Sequence, residues 1–516
     1  MNGATLALKT AAAAGVEICF ANPGTTEMEF VSALDETTEI RSVLCLFEGV
    51  VTGAADGYGR IAEKPALTLM HLGPGFANGI ANLHNARRAN SPIVNLIGDH
   101  ASWHLEADAP LTSDIDSLAA PVSAFLHRVA SANTIGPAMA KAIAAANGSP
   151  QKIATLILPQ EAAWETTASE EPSPVPTAEA PDISASIEDT ARRLHDRSEG
   201  MGLLVGGTLS AASLHAAAAI AEKTGCRVWM ETFPSRVAQG RGLPAFEAIP
   251  YFPEQATEAL SGISTLVTAG ASAPVAFFGY PGGQSYLLPE NCEVLSACGT
   301  ARNPEIGLQE LARALKAPAK EPTPIEPITA VPDGPIDAVS LGAVIASQQP
   351  ENAILINEAA TSGMGLAIHA RQAPQHDMIH LTGGAIGQGL PSAVGAALAA
   401  PERPVLAIQA DGSGMYTLQS LWTMARENLN VTVVLCANRA YRILQFELAR
   451  SGNQTPGPAA QGLMDLSRPD LDWVMLSKGM GVPAATARTT AELSQLLRER
   501  YQEQSDGPFL IEALIA

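Results

Sequence analysis

The chain has 516 residues, of which 47% are hydrophobic and 16% are charged. This length predicts about three domains of roughly 150 residues each, and the composition is typical of a compact globular protein rather than a disordered one. The net charge of −21 argues against nucleic acid and anionic membrane surfaces as partners.

Hydropathy and cysteine usage favour a cytoplasmic protein. No uncharged apolar stretch reaches about 18 residues without an interrupting Gly or Pro, so no segment is predicted to span a membrane. The six cysteines show neither a CxxC motif nor a metal-binding spacing. Most of them lie in apolar runs, and we therefore expect buried free thiols in a reducing cytoplasm.

Two Pro-rich linkers divide the chain into three predicted domains. Glu165–Asp182 and Ala317–Gly334 lack apolar periodicity, which indicates extended connectors. The remaining segments are residues 1–165, 183–316 and 335–516. Each alternates short β-type runs with Ala-rich helical patterns, and this alternation is typical of parallel α/β sheets.

In the first segment, three polar side chains lie in a loop or at predicted strand ends. Thr25 lies in the loop NPGTTE, Glu48 comes directly after the predicted strand Val43–Phe47, and His71 follows Leu69-Met70. A carboxylate among apolar residues should be partly desolvated, as a catalytic carboxylate often is. Each residue also has a plain structural interpretation: a helix N-terminal acid favoured by the dipole, a turn cap, and a strand-end histidine.

The middle segment carries two junctions between a strand and a glycine. Met201–Gly207 and Leu266–Ser272 superficially suggest dinucleotide binding, but no GxGxxG with a downstream acid follows either of them. A Rossmann oxidoreductase is therefore disfavoured.

The stretch Val405–Tyr441 predicts a strand, a turn, a helix and a second strand. Asp411 follows the first strand and Asn438 the second, so both should lie at the carboxyl edge of one parallel sheet. Their oxygens suit Mg²⁺, which a phosphate group usually helps to coordinate. The Gly412-Ser413 turn opens a helix and offers N–H groups to such a phosphate. The stretch predicts a Mg²⁺–diphosphate site, although an ordinary strand–helix–strand unit would show much of the same pattern.

These motifs resemble the thiamine diphosphate (ThDP) enzymes. Ala410–Gly412 and, 24 residues later, Ala437-Asn438 are similar to the family's GDG…NN motif, with alanine replacing the first Gly and the first Asn. The resemblance implies that Asp411, Asn438 and the carbonyl of Ala440 hold Mg²⁺. It covers the whole chain and implies an α/β fold of three doubly wound parallel-sheet domains: pyrimidine-binding (Pyr), Rossmann-like middle and diphosphate-binding (PP).

The first segment resembles two branches of this family. FEGVVTGAADGYGR is similar to the segment of the catalytic Glu, which implies that Glu48 hydrogen-bonds the cofactor's pyrimidine ring. The loop NPGTTE resembles that of benzoylformate decarboxylases, which implies active-site roles for Thr25 and His71. Gly73–Gly75 with Asn78 is instead similar to the GPGATN of acetolactate synthases.

The third segment carries two further resemblances. Asn357–Ser362 is similar to the family's second diphosphate loop, and Thr382–Pro391 to the segment that holds the cofactor bent. This implies that the Gly384 carbonyl accepts from the 4′-amino group and that Ile386 lies beneath the two rings. The cofactor-binding residues implied in this way are Glu48, Asn78, Thr361, Ser362, Gly384, Ile386, Asp411, Gly412, Ser413, Asn438 and Tyr441.

Four residues are candidates for the substrate pocket. Tyr280 lies near the point where the decarboxylase branch places a second active-site His, which argues against a mechanism that uses a His pair. Ile443, Leu444 and Phe446 begin a helix predicted to face the substrate, although they could equally be plain core residues.

The resemblance implies a Mg²⁺/ThDP-dependent enzyme that acts on small 2-oxo acids by decarboxylation, by acyloin carboligation, or by both. In this family the active site lies at the subunit interface, which implies a homodimer or homotetramer. FAD binding by the middle domain is possible in the family, but nothing in this sequence supports it. A catalytically silent ThDP-binding paralogue with a regulatory or assembly role is the alternative, and the retained Glu48, Asp411 and Asn438 argue against it.

Overall fold

The computed structural model describes residues 1–177, 182–196, 200–298, 303–319, 324–452, 455–502 and 507–516. The chain forms two compact units. The first contains Met1–Ala178, Ile328–His369 and Gly383–Ala516, and the second contains Glu179–Pro327 and Ala370–Thr382. Residues 178–181 and 320–323 of the two predicted linkers lie outside the described residues. The predicted domain boundaries stay a prediction.

The N-terminal part of the first unit is an α/β sheet. Its elements are α1 (Gly3–Ala13), β1 (Ile18–Asn22), α2 (Met28–Glu36), β2 (Arg41–Leu44), α3 (Glu48–Ala62), β3 (Ala66–Met70), α4 (Leu72–Ala89), β4 (Ile93–Asp99), α5 (Ile115–Ala119), β5 (Phe125–Arg128), α6 (Ala132–Ala146), β6 (Ile153–Pro159) and α7 (Gln160–Trp164), with 3₁₀ turns at Thr25–Glu27 and Ser102–Ala107. The strand order is β2-β1-β3-β4-β6-β5, and all neighbours pair in parallel. The carboxyl ends of β1 and β3 therefore meet at one edge of this sheet.

The strand before Glu48 is displaced from its predicted position. The sequence predicts a strand at Val43–Phe47, but the ladder with β1 ends at Leu44, opposite Ala21. Phe47 instead has an extended backbone and is the N-cap of α3. Glu48 is consequently the first residue of a helix.

The second unit contains a smaller parallel sheet. Its elements are α8 (Ser184–Asp196), β7 (Met201–Val205), β8 (Thr208–Leu209), α9 (Ala211–Thr224), β9 (Arg227–Met230), β10 (Arg236–Gln239), β11 (Glu247–Ala248), α10 (Pro253–Ala259), β12 (Thr265–Ala269), β13 (Glu293–Ser296) and α11 (Pro304–Ala314). The order β11-β9-β7-β12-β13 reads 3-2-1-4-5 along the chain, as in a doubly wound Rossmann sheet.

The third group of elements begins after the second linker. It comprises α12 (Ala338–Gln348), β14 (Ala353–Glu358), α13 (Met364–His369), β15 (His376–His380), α14 (Gly389–Ala399), β16 (Val405–Ala410), α15 (Asp411–Gly414), α16 (Ser420–Arg426), β17 (Val431–Ala437), α17 (Arg442–Arg450), α18 (Pro458–Gly462), α19 (Trp473–Gly479), β18 (Ala484–Ala487), α20 (Thr490–Gln502) and β19 (Phe509–Leu514), with 3₁₀ turns at Ala360–Gly363 and Ala370–Gln372. In the first unit, β18-β19-β17-β16-β14 form a parallel sheet. In the second unit, β15 pairs antiparallel with β10, which pairs in parallel with β8.

Helices α3 and α14 cross at close range within the first unit. A Cβ atom at Gly57 would collide with the carbonyl of Ser392, and one at Gly395 would collide with the carbonyl of Ala54 and lie 2.5 Å from the nitrogen of Tyr58. Glycine has no Cβ, so the two backbones can approach this closely. The crossing joins the N-terminal sheet to the C-terminal one.

The remaining sequence expectations concern membranes and thiols. Among the described residues, no helix is both long enough and apolar enough to cross a membrane. The six cysteines are free; five are buried and Cys292 is half-buried. Burial raises the pKa of each thiol, so these residues contribute to packing as neutral groups.

Candidate active site

Glu48 lies at the carboxyl edge of the N-terminal sheet with both carboxylate oxygens engaged. It is 6% exposed and accepts hydrogen bonds from the side-chain amides of Asn22, at 2.9 Å, and Asn78, at 3.0 Å. A Cβ atom on Gly75 would lie 3.1 Å from Oε1 of Glu48 and 3.4 Å from Cβ of His71. The fold therefore brings the predicted residues Glu48, Asn78 and His71 together around Gly75.

His71 is supported by a glutamate that sequence reasoning missed. Its Nδ1 lies 2.9 Å from Oε2 of Glu27 and 3.2 Å from the hydroxyl of Thr26. Glu27 is fully buried and also accepts from the Gly24 N–H at 2.8 Å. A carboxylate can only accept, so we assign a proton to Nδ1 of His71. The predicted Thr25 is exposed, and it is its neighbour Thr26 that contacts the histidine.

Asp411 and Asn438 lie at the ends of adjacent strands β16 and β17, as the sequence predicts. Asp411 is 3% exposed and accepts from the N–H groups of Gly412, at 2.8 Å, and Arg439, at 2.6 Å. Burial raises its pKa, and these N–H groups oppose the rise. The Asn438 side-chain oxygen accepts from the Ala440 N–H at 2.9 Å.

This donor set fits Mg²⁺ bound together with a diphosphate. Within the described residues, no group of three His, Cys, Asp or Glu could hold a metal by itself. The predicted ligands are instead one carboxylate, one amide oxygen and one backbone carbonyl, which are hard oxygen donors that leave positions for phosphate. A divalent cation would also offset the cost of burying the Asp411 carboxylate.

The predicted diphosphate turns follow the same strand ends. Strands β14, β16 and β17 are neighbours, and the turn Ala360–Gly363, with half-buried Thr361 and buried Ser362, follows β14. The Ser413 hydroxyl accepts from Gln409 at 2.6 Å. Tyr441 packs against Gly412, where a Cβ atom would lie 2.6 Å from its ring.

Three predicted site residues, His71, Thr361 and Asn438, are each next to a non-glycine residue with positive φ. Leu72 (φ 52°) follows His71, Ala360 (φ 46°) precedes Thr361, and Arg439 (φ 56°) follows Asn438. Non-glycine residues in this region cost free energy and cluster at functional sites. The turns are therefore held in unfavourable conformations where the predicted site residues lie.

Residues 383–389, defined here as the cofactor loop, contain Gly384 and Ile386. Gly384 is exposed with φ 76°, and Ile386 is half-buried. Buried Glu358, which sequence reasoning missed, accepts from the N–H of Gly387 at 2.5 Å and from that of Gly389. Burial raises the pKa of Glu358 to about 7, against the opposing effect of these N–H groups.

The substrate-pocket candidates fall into two groups. Ile443, Leu444 and Phe446 lie on α17, where Leu444 is 48% and Phe446 46% exposed. The alternative that these two belong to the core is therefore wrong for this chain. Tyr280 belongs to the second unit and lies in a loop closed by the bridge between Val275 and Tyr286.

The middle sheet has a half-buried acid at its own glycine turn. Glu231 directly follows β9 and accepts from the Gly207 N–H after β7. Burial raises its pKa to about 7. Because a carboxylate already occupies this N–H group, the turn is less suited to a phosphate than an open glycine turn would be.

One signal in the sequence could have identified further site residues. Asn78, Asn82 and Asn85 have the spacing i, i+4, i+7, which places three amides on one face of α4. Asn82 donates to the carbonyls of Gly49, at 2.8 Å, and Gly387, at 3.2 Å. The stripe thus contacts both α3 and the cofactor loop.

The chain matches family models at both ends. Residues 1–120 match "Thiamine pyrophosphate enzyme, N-terminal TPP binding domain", and residues 359–513 match the C-terminal TPP binding domain of the same enzymes. Thiamine pyrophosphate is a synonym of ThDP. The two matches contain Glu48 and Asp411, respectively.

Whole-chain relatives carry names from both branches. The chain is 46% identical to "Putative acetolactate synthase large subunit IlvX" of Mycobacterium tuberculosis, covering 100% of this chain and 99% of the relative. It is 28% identical to benzoylformate decarboxylase of Pseudomonas aeruginosa, covering 96% of each. The fold is similar to that of a ThDP-dependent 4-hydroxybenzoylformate decarboxylase of Rhodococcus jostii RHA1, with a TM-score of 0.84, 22% identity and coverage of 100% and 99%. The chain belongs to the family of thiamine-diphosphate-dependent enzymes that includes the acetolactate synthases and benzoylformate decarboxylases.

Proposed function

We propose that the protein is a Mg²⁺/ThDP-dependent decarboxylase of a small 2-oxo acid and releases an aldehyde. The observation that carries this choice is the pair of His71 with fully buried Glu27, at 2.9 Å, beside Glu48. A supported imidazole can deliver a proton to carbon, as aldehyde release requires and carbon–carbon bond formation does not.

In this proposal the role of each residue follows from its position in the site. ThDP, when bound, accepts the electron pair released when CO₂ leaves the substrate. Asp411, Asn438 and the Ala440 carbonyl would hold Mg²⁺ and with it the diphosphate, and Glu48 would share a proton with the pyrimidine ring. Glu27 holds Nδ1–H of His71. When Nε2 also carries a proton, the imidazolium can give that proton to the product carbon in place of CO₂, which leaves the ring neutral with its remaining proton on Nδ1.

We also propose that each site is shared between two copies of the chain. Asn78 contacts Glu48, whereas Asn85, seven residues further along α4, contacts the cofactor loop. The support for this proposal is the resemblance to ThDP enzymes, whose active site lies at the subunit interface. Glu48 of one copy would then work with the cofactor loop of a second copy, in a homodimer or larger homo-oligomer.

The test is a panel of aliphatic and aromatic 2-oxo acids, scored separately for CO₂, aldehyde and acyloin. We expect one substrate class to give CO₂ and aldehyde in equal amounts, dependent on both ThDP and Mg²⁺. Asp411→Ala should remove the activity and the Mg²⁺-dependent binding of ThDP. Acyloin as the main product would contradict the assignment of His71, and no turnover of any member would favour the silent paralogue.

A further inference from the structure

The cofactor loop is held against α4 by an asparagine that no motif identifies. Asn85 is fully buried. Its side-chain nitrogen donates to the Ala385 carbonyl at 2.7 Å, and its side-chain oxygen accepts from the Ala385 N–H at 3.1 Å. One side chain thus satisfies both backbone groups of a single loop residue, much as a neighbouring β-strand would.

The position of Ala385 makes this contact informative. It lies between Gly384, which has φ 76°, and Ile386. A residue whose N–H and C=O are both fixed has little freedom in its two peptide planes, so the carbonyl of the preceding residue is fixed as well. The hydrogen bonds of Asn85 therefore determine where the Gly384 carbonyl and the Ile386 side chain can lie.

The packing beside Asn85 is equally close. A Cβ atom at Gly383 would lie 2.5 Å from the Asn85 side-chain oxygen and 2.8 Å from the ring of His84. His84 Nε2 itself lies 3.1 Å from the Gly383 carbonyl. The loop backbone thus lies directly on α4, with no room for a side chain between them.

Other residues hold the far end of the loop. The Gly387 carbonyl accepts from Asn82 at 3.2 Å and from Thr417 at 2.9 Å, while Glu358 accepts from its N–H. Ala385 receives no comparable support from the C-terminal sheet among the hydrogen bonds of the described residues. Asn85 is consequently the residue on which the middle of the loop depends.

We propose that Asn85 is a positioning residue that holds the cofactor loop in the conformation that receives ThDP. It acts through the backbone of Ala385 and touches neither substrate nor cofactor. The proposal rests on the proposed function for the role of the loop, but the contact between Asn85 and Ala385 can be measured without any cofactor.

The experiment compares wild type with Asn85→Ala, Asn85→Leu and the control Arg88→Ala. Leucine fills a similar volume without hydrogen bonding, and Arg88 is exposed on the same helix. Hydrogen exchange of the cofactor-free protein, read by mass spectrometry on peptides covering 383–389, measures the contact itself. Titration with ThDP at saturating Mg²⁺, followed by protein fluorescence and near-ultraviolet circular dichroism, measures its consequence for binding.

Both Asn85 variants should exchange the cofactor-loop amides about tenfold faster, as expected for the loss of a typical hydrogen bond. Exchange across β16 should not change. The Kd for ThDP should rise by about tenfold, with an altered dichroism of the bound cofactor. Arg88→Ala should match wild type in every reading.

Several results would overturn the proposal. Unchanged loop exchange in both Asn85 variants would show that the asparagine does not hold the loop. Faster exchange with an unchanged Kd would show that the loop conformation does not matter to ThDP. If the wild type binds no ThDP, both the proposed function and the role of Asn85 in cofactor binding are wrong. The exchange data would still show whether Asn85 holds the cofactor loop.

Discussion

At the scale of single residues, Glu48 offers the most direct separation of binding from chemistry. Both of its oxygens accept from amide donors, Asn22 and Asn78. Glu48→Gln keeps the size but replaces one acceptor with a donor and cannot share a proton with the cofactor. We expect ThDP binding within about tenfold of wild type, about 1.4 kcal/mol, and turnover lower by at least about 10²-fold.

The measurements for Glu48→Gln are ThDP titration and steady-state turnover, with Glu36→Gln on the exposed face of α2 as the control. Turnover close to that of wild type would show that Glu48 only stabilises the N-terminus of α3 and takes no part in catalysis. A complete loss of ThDP binding would instead point to misfolding of the carboxyl edge.

The His71–Glu27 pair predicts non-additive kinetics. His71→Ala should lower aldehyde formation by about 10²-fold, and the fraction of acyloin should rise when an acceptor aldehyde is present. Glu27→Gln removes the group that orients Nδ1, so it should cause part of the same loss. The double variant should be no slower than His71→Ala, because residues that act as a unit do not add.

Separate assays of aldehyde and acyloin provide the measurement, with exposed His104→Ala as the control. Equal losses of aldehyde and acyloin would show that His71 acts before the two product channels diverge, in substrate binding or decarboxylation. Additive losses in the double variant would show that Glu27 acts independently of His71.

At the scale of secondary-structure elements, the glycine crossing of α3 and α14 predicts a large effect of one methyl group. A Cβ atom at Gly395 would collide with the carbonyl of Ala54, and backbone atoms cannot rotate away. Gly395→Ala should therefore lower the free energy of unfolding by about 1–3 kcal/mol, the usual cost of overpacking. A Cβ atom at Gly479, in α19, would meet no neighbouring atom within 4 Å, so Gly479→Ala should be neutral or slightly stabilising.

Chemical denaturation of both variants tests this difference. The proposal of a tight crossing fails if the two alanine variants unfold at the same denaturant concentration. It is supported if only Gly395→Ala shifts the midpoint downward with an unchanged m-value.

The elements also show what a sequence can predict and where it stops. The positions of Asp411, Asn438 and Glu48 were predictable because each directly follows an apolar run, and the carboxyl ends of parallel strands share one edge of a sheet. Glu27 and Glu358 lie inside motifs that the sequence shows, but their contacts with His71 and with Gly387 were not predictable, because the partners are distant in sequence. Asn85 lay between these cases: its spacing from Asn78 was visible, but the loop that it contacts lies 300 residues away.

At the scale of the whole molecule, shared sites predict complementation between two inactive variants. The Glu48→Gln chain should keep an intact Asp411 at the carboxyl edge of its C-terminal sheet. The Asp411→Ala chain should keep an intact Glu48 at the carboxyl edge of its N-terminal sheet. In a mixed dimer, one of the two sites would combine both intact edges. Equal co-expression gives about half mixed dimers, so about a quarter of wild-type activity should return.

Two different affinity tags on the chains allow the mixed dimer to be purified and assayed directly. Each variant expressed alone is the control and should stay inactive. Absence of activity in the purified mixed dimer would show that Glu48 and Asp411 of the same chain serve one site.

Helix α4 could couple ligand binding at the two sites of such a dimer. This helix contacts Glu48 through Asn78 and, two turns further along, the cofactor loop through Asn85. If those two parts serve different sites, a single helix belongs to both, and a displacement that improves one alters the other. Any such linkage is reciprocal, so each site would respond to the other's occupancy by the same free energy. ThDP would then bind to the two sites of a dimer cooperatively.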